Sequence, residues 1–141
     1  ELLALLRPTL RAGGAGASGI AVADAIARGL PREAMERVKE ALALTDGEMA
    51  AAVGMSSKSV SRLRKGPRHV LDLVASDRLY RLARIYALAK DVLEDDTLAR
   101  EWLRTPQVGL GLRVPLGLLA TEAGAREVED LLGRIEYGVG S

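Results

Sequence analysis

Two short helical patterns separated by a glycine constrain the fold of this chain more than any other feature. The first begins at Thr45, a good N-cap residue, and Glu48 three positions later completes a capping-box pattern. Gly54 ends this helix, because glycine readily adopts the left-handed conformation of a helix exit. Ser56 or Ser57 can cap the next helix. The sequence therefore predicts two consecutive short helices joined by a tight turn at Gly54.

Apart from two apolar residues, Val60 and Leu63, the second of these helices is polar and basic. Residues 56–69 carry five Lys or Arg and no acid, whereas the whole chain has a formal net charge of only +1. A basic patch on a nearly neutral protein is typical of a nucleic-acid contact. The pattern predicts a helix-turn-helix motif, whose second helix enters the major groove. The alternative is a solvated helix pair in an ordinary bundle. The predicted DNA-binding residues are Ser57, Lys58, Ser59, Ser61, Arg62, Arg64 and Lys65.

The amino-acid usage favours an all-α fold. Aromatic residues make up 3% of the 141 residues and Phe is absent, so Leu, Ala, Val and Ile must form the core. Leu and Ala are strong helix formers, and no long segment alternates apolar and polar residues with a period of two. The length suits one domain or two small ones that share a core.

Several classes of site are excluded by the residues that the chain lacks. It has no cysteine, which excludes disulfides and cysteine-based zinc sites, and its single histidine, His69, leaves no histidine-rich metal site. The glycines at 109 and 111 follow no predicted strand and match neither common phosphate-loop spacing. No apolar run approaches the length of a membrane span. We expect a protein that is not an enzyme, with no catalytic residues, metal, cofactor, small-molecule substrate or membrane contact.

The rest of the chain reads as helices separated by proline and glycine. A short element is expected at residues 20–28, and Pro31 opens a helix. Ser76 or Asp77 is expected to cap a long helix over residues 78–93, whose arginines Arg78, Arg81 and Arg84 form a solvated face. A helix follows from residue 96 or 97 to 104, then a loop over residues 107–119. Thr121 caps a final helix to about residue 136.

The second half of the chain resembles a known family. The segment Trp102-Leu103 with Thr105-Pro106, together with the ending Arg-Ile-Glu-Tyr-Gly-Val at residues 134–139, is similar to the Xre/MbcA/ParS antitoxins, the partners of RES-domain toxins. The resemblance covers about residues 29–139. It implies an Xre-like helix-turn-helix bundle over residues 29–75 and a small helical toxin-binding domain over residues 76–141. The glycine-rich composition of residues 13–19 predicts a flexible arm, which we place at residues 1–28.

The resemblance also implies a function. Members of the family are cytoplasmic homodimers that neutralise a toxin which consumes NAD, by hydrolysis or by ADP-ribosylation, and that repress their own operon by binding operator DNA. The C-terminal end of the antitoxin covers the NAD cleft of the toxin. On this chain that role falls on Arg134, Ile135, Glu136, Tyr137, Gly138 and Val139. The chain departs from the family at Gly111-Leu112, where a Gly-Gly-like turn is common, at Val114, where a threonine is common, and near Gly117, where an acid is common.

Two alternatives remain open from the sequence. Tyr137 is an amphipathic ring that suits an interface anchor, but it could instead fold back onto the helix of Trp102. The chain could also be a helix-turn-helix transcriptional repressor with a dimerisation domain and no toxin partner. In that case Lys58, Arg62 and Arg64 dominate the binding of DNA.

Overall fold

The computed structural model describes residues 19–66 and 70–138, and within them the fold is all-α, as predicted. The described residues divide into two compact units, with the division between Tyr80 and Arg81. The division falls inside the helix Leu73–Leu93. The domain boundary that the sequence predicts after residue 75 lies in the same helix. The helices are α1 (Gly19–Arg28), α2 (Arg32–Leu42), α3 (Asp46–Val53), α4 (Ser57–Lys65), α5 (Leu73–Leu93), α6 (Asp96–Arg104), α7 (Pro115–Leu118) and α8 (Glu122–Glu136), with a 3-10 turn at Val108–Leu110.

Helix α1 is the short element expected before residue 29. Its Ala25 is 1% exposed and belongs to the core of the first unit. Residues 19–28 are therefore helical. The prediction of a flexible arm over residues 1–28 is wrong for these ten residues. Residues 1–18 lie outside the described residues.

The helix ends around the glycine turn follow the predicted capping chemistry. The Thr45 hydroxyl accepts a hydrogen bond from the Glu48 N–H at 3.1 Å, and the Glu48 carboxylate accepts one from the Thr45 N–H at 2.9 Å. Gly54 ends α3 with a φ of +72°. The Ser56 hydroxyl then caps α4 by accepting from the Ser59 N–H at 3.1 Å. Local sequence is sufficient to set all three ends.

The start of α5 differs from the prediction. Its first turn is capped by Asp72, whose carboxylate accepts from the Ala75 N–H at 2.8 Å, and not by Ser76 or Asp77. Ser76 is fully buried within the helix, where its hydroxyl accepts from the Leu30 N–H at 2.8 Å. The serine is therefore used in a tertiary contact with a residue 46 positions away.

Two arginines of α5, Arg81 and Arg84, form ion pairs with acids of α8. The prediction that they form a solvated face is therefore wrong. Arg81 is buried, and its guanidinium donates to the Glu122 carboxylate at 3.2 Å and to the Leu119 carbonyl at 3.1 Å. Arg84 donates to the Glu129 carboxylate at 2.7 Å. These contacts join α5 to α8 inside the second unit, around a core of Leu82, Ile85, Leu103, Leu131 and Leu132.

The segment predicted as a loop over residues 107–119 has regular structure. Gln107 and Arg113 form an isolated antiparallel bridge around the 3-10 turn, and α7 begins at Pro115. Proline suits the first position of a helix because its missing N–H has no partner there. Thr121 then caps α8, accepting from the Gly124 N–H at 3.0 Å, as predicted.

Candidate functional sites on the basic helix and the C-terminal helix

Helix α4 presents one basic face to solvent. Val60 and Leu63 are buried on its inner side. Successive side chains of an α-helix are rotated by about 100°, so the outward side carries Lys58, Ser61, Arg62 and Lys65. The three cations among them are exposed and Ser61 is half-buried. This face is open to phosphates and base edges, and DNA contact by these residues stays a prediction.

Arg64 lies on a different side of α4 and binds two acids of its own unit. Its guanidinium donates to the Asp46 carboxylate at 2.9 and 3.3 Å and to the Glu36 carboxylate at 3.2 Å. Lys39 adds a second cation 3.0 Å from Asp46. The hydrogen bond from Arg64, followed by that from Lys39, lowers the pKa of the Asp46 carboxyl below its usual range. Arg64 therefore ties α4 to α2 and α3, which distinguishes it from the other predicted DNA-binding cations.

A further arginine fixes the end of α4. Arg32, at the start of α2, donates from its guanidinium to the backbone carbonyl of Arg64 at 3.1 Å. The last carbonyls of a helix lack partners within the helix, so a cation at this end is favourable. Both the side chain and the backbone of Arg64 thus hold the orientation of the basic helix.

Two of the three predicted serines, Ser57 and Ser59, occupy the first turn of α4. Ser57 is exposed and Ser59 is half-buried. The Ser56 hydroxyl donates to the Ser59 hydroxyl at 3.0 Å, so Ser59 takes part in the cap of the helix. Of the two, Ser57 is the better placed to meet a ligand.

Sequence reasoning missed one cation beside the helix-turn-helix turn. A Cβ atom added to Gly54 would collide with the guanidinium of Arg78, whose Cζ would lie 3.1 Å away. Arg78 therefore lies against the C-terminal end of α3, where the helix macrodipole favours a positive charge. Because 24 positions separate the two residues, no local pattern could have indicated this approach.

The C-terminal candidate site is the end of α8. Arg134 and Glu136 are exposed, Ile135 is half-buried, and Tyr137 is 80% exposed. The alternative in which Tyr137 folds back onto the helix of Trp102 is therefore wrong. Val139 lies outside the described residues.

The backbone at this end turns away from the helix axis. The Tyr137 N–H donates to the Gly133 carbonyl at 3.1 Å, and the Gly138 N–H donates to the Ile135 carbonyl at 3.2 Å. Gly138 has a φ of +70°, in the left-handed region that glycine adopts at helix exits. The Tyr137 ring thus stands at the helix end as an apolar surface with a hydroxyl, a combination that is common in interface anchors.

The part of the chain that the structure describes has neither a metal-binding cluster nor a membrane-spanning helix. Residues 19–66 and 70–138 hold no group of three or more His, Cys, Asp or Glu that could bind a metal ion. No helix among these residues is long and apolar enough to cross a membrane.

Two models of known protein families match this chain. Residues 21–84 match the family model described as the antitoxin Xre-like helix-turn-helix domain, and residues 88–138 match that of the antitoxin Xre/MbcA/ParS C-terminal toxin-binding domain. A protein named Antitoxin Xre from Yersinia enterocolitica is 34% identical over 122 residues, which cover 86% of this chain and 82% of the relative. Another with that name, from Photorhabdus laumondii, is 31% identical over 79% of this chain and 75% of its own length.

The two matched segments include both candidate sites. The helix-turn-helix model covers α4 and its basic face, and the toxin-binding model covers α8 and Tyr137. A regulatory protein that binds DNA and a protein toxin requires exposed contact surfaces of this kind. The chain belongs to the Xre/MbcA/ParS family of toxin–antitoxin antitoxins.

Proposed function

We propose that this antitoxin neutralises a RES-domain toxin that consumes NAD, by covering the toxin's active-site cleft with residues 134–139. The observation that carries the proposal is Tyr137, which is 80% exposed at the end of α8, inside the segment that matches the toxin-binding domain. A large aromatic side chain left in solvent at a helix end gains nothing from the fold. Burial of the ring in a partner's cleft would remove its apolar surface from water and so stabilise the complex.

The chemistry of the C-terminal segment suits an NAD cleft. Such a cleft must hold aromatic rings and a pyrophosphate, and it meets the pyrophosphate with cations and N–H donors. The Tyr137 ring is complementary to a ring-binding subsite, and the exposed Glu136 carboxylate is complementary to the phosphate-binding donors. The segment would thus exclude NAD by occupying its place and would perform no reaction itself.

The test is NAD consumption by purified toxin as antitoxin is titrated in. We expect saturating wild-type antitoxin to stop NAD loss and Tyr137→Ala to raise the required concentration at least tenfold, as for an interface hot spot of about 2 kcal/mol. Glu127→Ala is the matched control, because Glu127 is exposed on α8 and lies outside the proposed segment. Unchanged NAD loss with folded wild-type antitoxin at saturation would refute the proposal.

We also propose that α4 binds operator DNA and represses the antitoxin's own operon. Lys58, Arg62 and Lys65 are the proposed contacts, since they lie exposed on the outward face of α4. A homodimer would present two copies of α4 to half-sites about 34–36 Å apart. DNA and a NAD-consuming toxin are both cytoplasmic, so the proposal places the protein there.

Salt dependence separates the roles of these cations. Arg62→Ala should reduce the slope of log affinity against log salt by about 0.9, because one phosphate contact is lost. Arg64→Ala should instead lower the melting temperature, since Arg64 binds Asp46 and Glu36. Arg37→Ala, an exposed cation of α2, is the control. An unchanged slope for Arg62→Ala would exclude that residue as a phosphate contact. Operator binding by a protein that leaves the toxin active would support the repressor alternative.

A further inference from the structure

The bridged loop of the second unit, residues 107–113, exposes two aliphatic side chains. Val108 is 75% exposed and Leu112 is 68% exposed. Leu112 also has a φ of +64°, in the left-handed region that bulky L-residues rarely adopt. A leucine at this position is thus unfavourable, since its backbone is strained and its exposed side chain gains no stabilisation from burial.

The strained conformation is fixed by hydrogen bonds at the base of the loop. The Gln107 N–H donates to the Arg113 carbonyl at 3.1 Å, and the Leu112 N–H donates to the Gln107 carbonyl at 2.9 Å. The Gln107 side-chain amide donates to the carbonyls of Trp102 and Thr105, at 3.0 and 3.1 Å. The loop therefore holds its two exposed aliphatic side chains in one preorganised position, which reduces the entropy lost when a partner binds.

We propose that Val108 and Leu112 form a second contact with the toxin, separate from residues 134–139. This inference rests on the proposed function. The toxin is the occupant because the loop lies within residues 88–138, which match the toxin-binding domain, and because its 3-10 turn packs against α8. A stable interface also buries about 800 Å² on each partner, which is more than a six-residue segment readily supplies.

The decisive variant is Leu112→Gly, because it should change stability and binding in opposite directions. Glycine relieves the left-handed backbone, so we expect the melting temperature to rise by about 1–4 °C. Removal of the exposed side chain should weaken toxin binding about tenfold. Glu94→Gly is the matched control, since Glu94 has a φ of +57° in the same unit. It should raise the melting temperature without changing toxin affinity.

A second variant removes apolar surface at Val108, which does not have a positive φ. Val108→Ser should leave the melting temperature of the 141-residue chain nearly unchanged and weaken toxin binding severalfold. Affinity is measured by surface plasmon resonance with immobilised RES-domain toxin, and melting by circular dichroism. Weakened binding by both variants, with Glu94→Gly unaffected, supports the second contact.

Other outcomes overturn the inference. If Leu112→Gly and Val108→Ser bind toxin as wild type does, the second contact does not exist and the proposed function still stands. If the wild-type chain does not bind the toxin, the proposed function fails together with the inference. If both variants alter only the sedimentation of the free antitoxin, the loop serves self-association and the toxin is not its partner.

Discussion

Two glycines of α8 should respond to alanine in opposite directions. A Cβ added to Gly133 would meet no atom within 4 Å, so Gly133→Ala should stabilise the chain by about 0.8–1.0 kcal/mol, the difference in helix propensity. A Cβ added to Gly124 would collide with the carbonyl oxygen of Leu118 and lie 2.9 Å from its carbonyl carbon. Overpacking costs about 1–3 kcal/mol in general, and a backbone carbonyl that cannot move aside places this collision in the upper part of that range, at about 2–3 kcal/mol. After the propensity gain, Gly124→Ala should destabilise by about 1–2 kcal/mol.

The assay is urea unfolding followed by the fluorescence of Trp102, the single tryptophan of the chain, which lies in the same unit as both glycines. The free energies of unfolding of the two variants should differ by about 2–3 kcal/mol, with wild type between them. The Leu118 carbonyl belongs to a backbone and cannot rotate away as a side chain could. A neutral Gly124→Ala would refute the described packing of α7 on α8, and a destabilising Gly133→Ala would refute the open space beside Gly133.

Three further predictions concern stability. Thr45→Ala removes the cap of α3 and should cost about 1 kcal/mol in urea unfolding; an unchanged midpoint would exclude the cap as a stabilising contact. Arg81→Met takes away the donor to the Leu119 carbonyl, and should cost about 1–3 kcal/mol by the same measurement; a cost near zero would show that water replaces the donor. Arg64 lowers the pKa of Asp46 below the ordinary 3.8, so the carboxylate contributes stability above about pH 4 and loses it as the pH falls further. Asp46→Asn should therefore flatten the acid side of the melting profile, and an unaltered profile would contradict this.

The sequence predicted the features that depend on neighbouring residues. Thr45, Ser56 and Thr121 act as N-caps because a cap involves only the next three positions. The all-α fold follows from Leu and Ala usage, and Val60 and Leu63 are buried as their spacing indicated. These interactions are local, so a single sequence contains all of the information they require.

The predictions that failed depend on contacts between distant residues. Ser76 has the chemistry of a cap, but its hydroxyl binds the Leu30 N–H 46 positions away. Arg81 and Arg84 were expected in solvent, yet their acids lie on α8, 41 and 45 positions later in the chain. Arg64 remains a predicted DNA-binding residue, and composition could not show that its guanidinium also binds Asp46. Only the packed structure separates these roles.

Removal of residues 134–141 tests the central claim most directly. The truncated antitoxin and the full 141-residue chain are each added at saturation to purified RES-domain toxin, and NAD is followed with time. Circular dichroism first establishes that the truncated chain retains its helices. The account predicts that the full chain stops NAD loss and that the truncated chain leaves most of the toxin's activity. Equal inhibition by both chains would contradict it.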